Sequence, residues 1–291
     1  MSTIRTLLKS ARQGTKFACL TCYDATTARW LESAGIDVLL VGDTAGEVVL
    51  GFPNTVHTPL DFLVTLTAGV KRGAPSTVVM ADMPFMSYQA DDAEGIRNAG
   101  RFMTEGMADL VKLEVDQSFA GLVAKLARAG VPVVAHIGSR PQQAKLHGGC
   151  YAAGKTALGA LALLEDARAM VDAGATMLLV EAAPAEVTAE IVRASSVPVI
   201  GCGAGAECQG QVIVLQDLLG MTHWQPAFAK PEAQIGAAIE LAAKGWISRV
   251  REGRLGEHPY SMSDEERQAF CEHLERRPPH LVHVVTTEPK A

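Results

Sequence analysis

The chain repeats one short pattern, in which a run of four or five apolar residues stops at a polar side chain. Val38-Leu-Leu-Val41 runs into Gly42, Asp43 and Thr44, and Val78-Val-Met-Ala-Asp82 does the same. Asp109-Leu-Val-Lys-Leu-Glu114, Pro132-Val-Val-Ala-His136 and Thr176-Met-Leu-Leu-Val-Glu181 follow. Runs this short and this apolar fit strands buried on both faces, as parallel sheets require. An unpaired charge at the end of such a strand is costly, so each of these groups needs a partner. Polar residues gathered at the carboxyl ends of successive parallel strands describe the rim of an active site.

Helical stretches separate the runs. Ile4, Leu7, Leu8 and Ala11 share one helical face ahead of the first strand, where a helix would close the bottom of a barrel. Strands are expected over 17–22, 36–41, 76–82, 108–114, 131–136, up to Glu181, and over 197–202. Helices are expected to about 33, then over 60–71, 91–105, 119–129, 156–173 and from about 184. Gly46 to Thr58 reads as a loop. Residues 210–220 hold an eighth strand or a short helix, which period alone does not separate. Ile235, Ala238, Ile239, Ala242, Trp246 and Val250 mark one face of a further helix. Ser263 and Glu266 form a capping box, and past Arg276 a loose end is expected. About eight strands alternating with helices predict an α/β fold, a (β/α)8 barrel, with a doubly wound sheet as the other arrangement. The expected division is a single barrel over 1–260 and a C-terminal helix and tail over 261–291.

At 291 residues the chain suffices for one such barrel, which typically takes about 250. The net charge of −6, without a dense basic block, argues against a nucleic-acid partner. No apolar run approaches the roughly 18 residues of a membrane span, and the start lacks a long apolar signal core, so a cytoplasmic protein is expected. Six cysteines are scattered along the chain, and reduced thiols are the default reading. Cys19 and Cys22 form a C-x-x-C, but residues three apart on a strand face opposite sides, and no second pair completes a zinc site.

Two phosphate-type motifs need weighing. Gly149 to Thr156 matches the P-loop letter for letter, yet the preceding 140–147 is polar rather than a strand, which a phosphate-wrapping loop requires. Gly201-Cys-Gly203-Ala-Gly205 imitates a dinucleotide fingerprint but lacks an acidic ribose partner about 20 residues on. A glycine turn after strand seven, where backbone can approach a ligand anion, is the better account. The long segment 137–155 after strand five is expected to be a functional loop.

The rim residues divide by chemistry. Asp43, Asp82 and Glu114 end three adjacent strands and offer hard oxygen ligands of the kind Mg²⁺ takes. Any one of them alone reads equally well as a cap or an exposed turn. Lys112, two residues from Glu114 and on the same side of its strand, is placed to hold a substrate carboxylate or a developing enolate oxygen. Its alternative is a salt bridge to Glu114 or a neighbour. His136 is a donor to substrate or a satisfied core histidine. Glu181 lies across the barrel from the metal set, as a general base should, with a structural ion pair as its alternative.

The chain also resembles the ketopantoate hydroxymethyltransferase family, within the phosphoenolpyruvate mutase/isocitrate lyase type of barrel. The resemblance runs from about Ile4 to Tyr260. It rests on Thr21-Cys-Tyr-Asp24, Val41-Gly-Asp-Thr44, Arg72-Gly-Ala-Pro75, Ala81-Asp-Met-Pro-Phe85, Val111-Lys-Leu-Glu114 and His136-Ile-Gly138. Pro141-Gln142, Gly148-Gly149, Pro198-Val-Ile-Gly201 and Gly203-Ala-Gly205 add to it. The resemblance implies Mg²⁺ on Asp43, Asp82 and Glu114, a 2-oxo acid on Asp43, Thr44, Asp82 and Lys112, and Glu181 as proton acceptor. It implies transfer of a hydroxymethyl group from 5,10-methylenetetrahydrofolate to 3-methyl-2-oxobutanoate, giving 2-dehydropantoate in pantothenate biosynthesis. The alternative is a related Mg²⁺-dependent aldolase or carbon–carbon lyase on another 2-oxo acid. A cytoplasmic homo-oligomer is implied, in many members a large ring such as a decamer.

The chain departs from the family pattern at Thr44, where serine is usual, and at Leu66, where histidine is common. Val115 and Asp116 replace Gly-Gly, and Ser139-Arg140 replaces Leu-Thr. Gln209 stands where an aspartate is usual. These departures predict an altered pocket around an intact set of metal and base residues.

Overall fold

The computed structural model describes residues 3–149, 151–222 and 225–276. Its strands are β1 (Phe17–Thr21), β2 (Val38–Val41), β3 (Val78–Asp82), β4 (Leu110–Glu114), β5 (Val133–Gly138), β6 (Met177–Glu181), β7 (Val199–Cys202) and β8 (Gly210–Ile213). Each pairs in parallel with the next, and β8 returns to pair with β1, so the sheet closes into a barrel. The central strands β2 to β5 are buried at every position, as their unbroken apolar runs require.

Local signals set the outer helices. Asp24 accepts hydrogen bonds from the N–H groups of Thr26 and Thr27 and starts the helix Ala25–Ser33. Asp91 caps Asp92–Thr104 through the N–H of Ala93, and Thr156 caps Ala157–Asp172 through that of Gly159. Such caps typically contribute about 1 kcal/mol each. Residues 46–58, expected to be loop, contain a helical turn, Ala45–Val48, and a 3₁₀ turn, Thr55–His57. Residues 210–220 hold both β8 and a short helix, Leu215–Leu218, which explains why no single period fits them.

Two apolar cores result. Inside the barrel Phe17, Leu40, Met80, Leu179 and Ile200 pack together. The N-terminal helix Ile4–Arg12 adds Leu7 and Ala11 to this interior core, closing the barrel as its apolar face predicted. The outer core lies between strands and helices and contains Leu39, Val79, Phe102, Leu113 and Val180. Cys19 belongs to the inner core and Cys22 to the outer one, and both are free thiols, so the C-x-x-C is not a working pair.

Neither phosphate motif has the context its chemistry needs. Ahead of Gly149 stand a 3₁₀ turn, Pro141–Gln143, and a helical turn, Ala144–His147, not a strand. The glycine turn after β7 leads directly into β8 with no helix between them. Gly203 has φ +60°, and a Cβ there would lie 2.6 Å from the Phe228 ring. The expected anion approach is thus replaced by close packing.

The chain divides into two compact units, Met1–Gly236 and Ala237–Ala291. The first holds the barrel. In the second, the long helix Ile235–Arg251 continues from the boundary, and Ser263 caps Asp264–Glu275 through the N–H of Glu266. The expected loose end past Arg276 lies outside the described residues. Among the described residues no helix is long and apolar enough to cross a membrane.

Candidate active site

Strand register builds the site. Asp82 stands level with Lys112, Glu114 with His136, and Glu181 with Cys202. Alternation along each strand turns these residues inward while Leu113 and Val180 face the outer core. Asp43 and Thr44 follow the end of β2. All seven residues singled out from the sequence, Asp43, Thr44, Asp82, Lys112, Glu114, His136 and Glu181, line one cavity of about 70 Å³.

The charges in this cavity do not balance. Asp43, Asp82 and Glu114 are each at most 4 % exposed. The ammonium facing them is Lys112, whose Nζ lies 2.6 Å from Asp82 Oδ2. The ion pair of Lys112 is therefore with Asp82 across the strands rather than with Glu114 on its own. Burial by itself would lower the Lys112 pKa, but the carboxylates of Asp82, Asp43 and Glu114 hold it above its ordinary value. Burial, with the Asp82 charge added, pushes Asp43 well above the ordinary carboxylate range. Burial and the Asp43 charge do the same to Glu114. Asp82 Oδ1 is buried and has no hydrogen-bond partner among the described residues. Three carboxylates facing one ammonium, with an orphaned oxygen among them, fit a site that takes a divalent cation.

Among the described residues no three Asp, Glu, His or Cys side chains converge on one point where an ion could sit. Gln142 contacts two of these carboxylates. Its Nε2 donates to Asp43 Oδ2 at 2.9 Å, and its backbone N–H donates to Glu114 Oε2 at 3.0 Å.

Across the cavity, Glu181 is pushed up to about 7 by burial, with Asp82 adding and Lys112 and the Cys202 thiol holding it down. Its side chain is 23 % exposed, whereas the metal-side carboxylates are closed in. His136 lies between the two sides, with Nε2 3.5 Å from Glu181 Oε2 and Nδ1 3.9 Å from Glu114 Oε1. Neither ring nitrogen has a hydrogen-bond partner among the described residues. Burial, then the Lys112 and Arg140 charges, keep the imidazole neutral by lowering its pKa well below the ordinary value. It is therefore not a satisfied core histidine.

The departures from the family pattern fall mostly outside this cavity. Thr44 does line it. Leu66 and Val115 pack in the outer core, and Gln209 accepts a hydrogen bond from the N–H of Val199. Asp116 and Arg140 pair with each other. Sequence reasoning missed the roles of Gln142, quoted above only as part of a motif, and of Tyr88. The Tyr88 hydroxyl accepts from the N–H of Glu114 and lies 3.0 Å from Gln142 Oε1. A proline followed by a long polar side chain on a loop after a rim strand was the available signal for Gln142.

Comparison with known proteins agrees with this geometry. The family pattern described as ketopantoate hydroxymethyltransferase matches residues 1–258. A 3-methyl-2-oxobutanoate hydroxymethyltransferase of Hyperthermus butylicus is 42% identical over 259 residues, covering 89% of this chain and 90% of that protein. The same-named protein of Alkalilimnicola ehrlichii is 43% identical over 264 residues, covering 90% and 95%. Among solved structures, phosphonopyruvate hydrolase in complex with oxalate and Mg²⁺ superposes with a TM-score of 0.60 at 14% identity, covering 94% and 96%. A 2,3-dimethylmalate lyase of the PEP mutase/isocitrate lyase superfamily gives 0.58 at 16% identity, covering 94% and 93%. At these identities the two structures establish the fold alone, a closed eight-stranded parallel barrel.

Proposed function

The chain belongs to the ketopantoate hydroxymethyltransferase family, and from that premise we propose that it transfers a hydroxymethyl group from 5,10-methylenetetrahydrofolate to 3-methyl-2-oxobutanoate, giving 2-dehydropantoate for pantothenate biosynthesis. The observation that carries this reading is the division of the cavity into two sides. Asp43, Asp82 and Glu114 with Lys112 stand on one side, and a lone carboxylate poised near neutrality, Glu181, stands on the other.

Asp43, Asp82 and Glu114 would hold Mg²⁺; an ion that keeps several waters does not need all three in contact with it. When bound, it would supply the Lewis acidity that makes the C–H beside a carbonyl removable at neutral pH. Thr44 and Asp43 orient the 2-oxo acid at the end of β2. Glu181 removes the proton from C3, and a base with a pKa near the working pH suits that task. Lys112 presents its ammonium to the oxygen on which negative charge develops. His136, kept neutral, is within reach of Glu181 and of substrate and acts as a hydrogen-bond donor there. The C3 carbon nucleophile then forms a C–C bond to the one-carbon unit carried by the folate, while water supplies the hydroxyl oxygen, the bonds from that carbon to the folate nitrogens break and tetrahydrofolate leaves. A cytoplasmic homo-oligomer completes the reading.

The test is proton–deuterium exchange at C3 of 3-methyl-2-oxobutanoate, with Mg²⁺ and without folate, followed by NMR. Glu181→Gln keeps the shape of the side chain but cannot accept the proton, and losing a general base typically costs about 10²–10⁴-fold. The parent should exchange and the variant should be slower by that factor. Equal rates would move the base elsewhere. Exchange of a different 2-oxo acid alone would move the substrate.

A further inference from the structure

The loop after β5 reaches back over the barrel mouth and ends in a side chain that no step above uses. Gln142 is 3 % exposed. Its Nε2 donates to Asp43 Oδ2 at 2.9 Å and to the Met83 carbonyl at 3.0 Å, while its Oε1 accepts from Gln89 Nε2 at 2.9 Å. The Tyr88 hydroxyl, 3.0 Å from the same oxygen, is its second neighbour. Both amide hydrogens face acceptors and the carbonyl faces donors, so the amide has one sensible orientation. The backbone N–H of the same residue donates to Glu114 Oε2. One residue thus grips two carboxylates that come from different strands.

The loop itself is tied at two points. The N–H of Ser139 donates to the Glu181 carbonyl at 2.9 Å. The Arg140 guanidinium pairs with Asp116, just past the end of β4, and this pair is only partly exposed, at 16 % and 27 %. Asp116 is in turn held by the N–H of Ser118. The Asp43 N–H also donates to Asp82 Oδ2, at 3.3 Å, so the two carboxylates are neighbours. Two neighbouring carboxylates in a buried site repel, and a donor on each sets where its oxygens point.

We propose that Gln142 is a positioning residue that orients Asp43 and Glu114 for the divalent cation, and that the Arg140–Asp116 pair holds the loop that presents it. This inference rests on the metal reading above. Partners that orient metal-binding carboxylates from outside commonly govern metal affinity, and their loss typically costs about 10–100-fold. A residue that only filled space would affect melting and leave metal affinity alone.

The experiment is calorimetric titration of Mg²⁺ into the metal-free parent, Asp82→Ala, Gln142→Met and Arg140→Met, with a thermal melt of each. The parent should bind, Asp82→Ala should not, and Gln142→Met should bind about 10–100-fold more weakly. Arg140→Met touches no carboxylate of the site and should weaken binding in the same direction. Unchanged Mg²⁺ affinity in Gln142→Met, with the parent and Asp82→Ala as expected, overturns this inference and leaves the metal reading standing. A parent that binds no Mg²⁺ overturns both. Should Gln142→Met not fold, unchanged affinity in Arg140→Met overturns the inference instead.

Discussion

Replacing Lys112 by Met tests the electrostatic account of the cavity most directly. Lys112 and Asp82 are paired at 2.6 Å with side chains 5 % and 2 % exposed, and Met retains most of the lysine stem while removing the charge. Taking one partner from a buried pair is expensive because the other charge is stranded, typically by about 3–5 kcal/mol. For a domain the size of Met1–Gly236, 1 kcal/mol moves the melting temperature by about 2–4 °C, so the drop should be roughly 6–20 °C. The pH dependence has a defined sign. Lys112 lowers the pKa of Asp43 and of Glu114, both of which burial already raises. Without it their folded-state values move further above the unfolded ones. A group raised in this way loses stability for the folded state as pH rises through its folded-state value, so the Asp43 part of the deficit is small well below pH 8, where the group is protonated in parent and variant alike, and grows as pH rises past about 8. The assay is a thermal melt of parent and variant in EDTA, which keeps metal from substituting for the missing charge. A variant melting within about 2 °C of the parent at pH 8 would refute the claim that Lys112 compensates the buried carboxylates.

The C3 exchange rate under subsaturating substrate should rise about tenfold per pH unit below pH 7 and level off above it, because Glu181 must be unprotonated and its pKa is pushed up to about 7; a flat profile from pH 5 to 8 would exclude it as the base. Gly138→Ala should destabilise the barrel, because φ is +96° there and a Cβ would sit 2.5 Å from the Glu181 carbonyl oxygen. Backbone strain of that kind costs about 1–3 kcal/mol before the contact is counted, so a melt unchanged from the parent would contradict the described geometry. The segment Gly149 to Thr156 should confer no specific ATP binding, since no strand precedes it; saturable micromolar binding by calorimetry would show otherwise.

Burial and period are local properties, and the chain carries them openly. An apolar run closed by a polar residue marks a strand and its outer end whatever the strand pairs with, so β2 to β6 and the rim residues Asp43, Asp82, Glu114, His136 and Glu181 could be read from order alone. The helix Ile4–Arg12 could be assigned to the barrel bottom in the same way, because its apolar face has no other place to go. Pairings across strands are not local. That Lys112 answers Asp82 rather than Glu114 follows from register, which places Asp82 opposite Lys112 on the neighbouring strand. That Gln142 holds Asp43, 99 residues earlier, follows from barrel closure, which brings the β5 loop over the end of β2. The glycines after β7 look like an anion turn in sequence, and only the position of Phe228 shows that packing requires one of them. A side chain's chemistry is written in its residue type, but its partner is chosen by the distance the fold leaves between them.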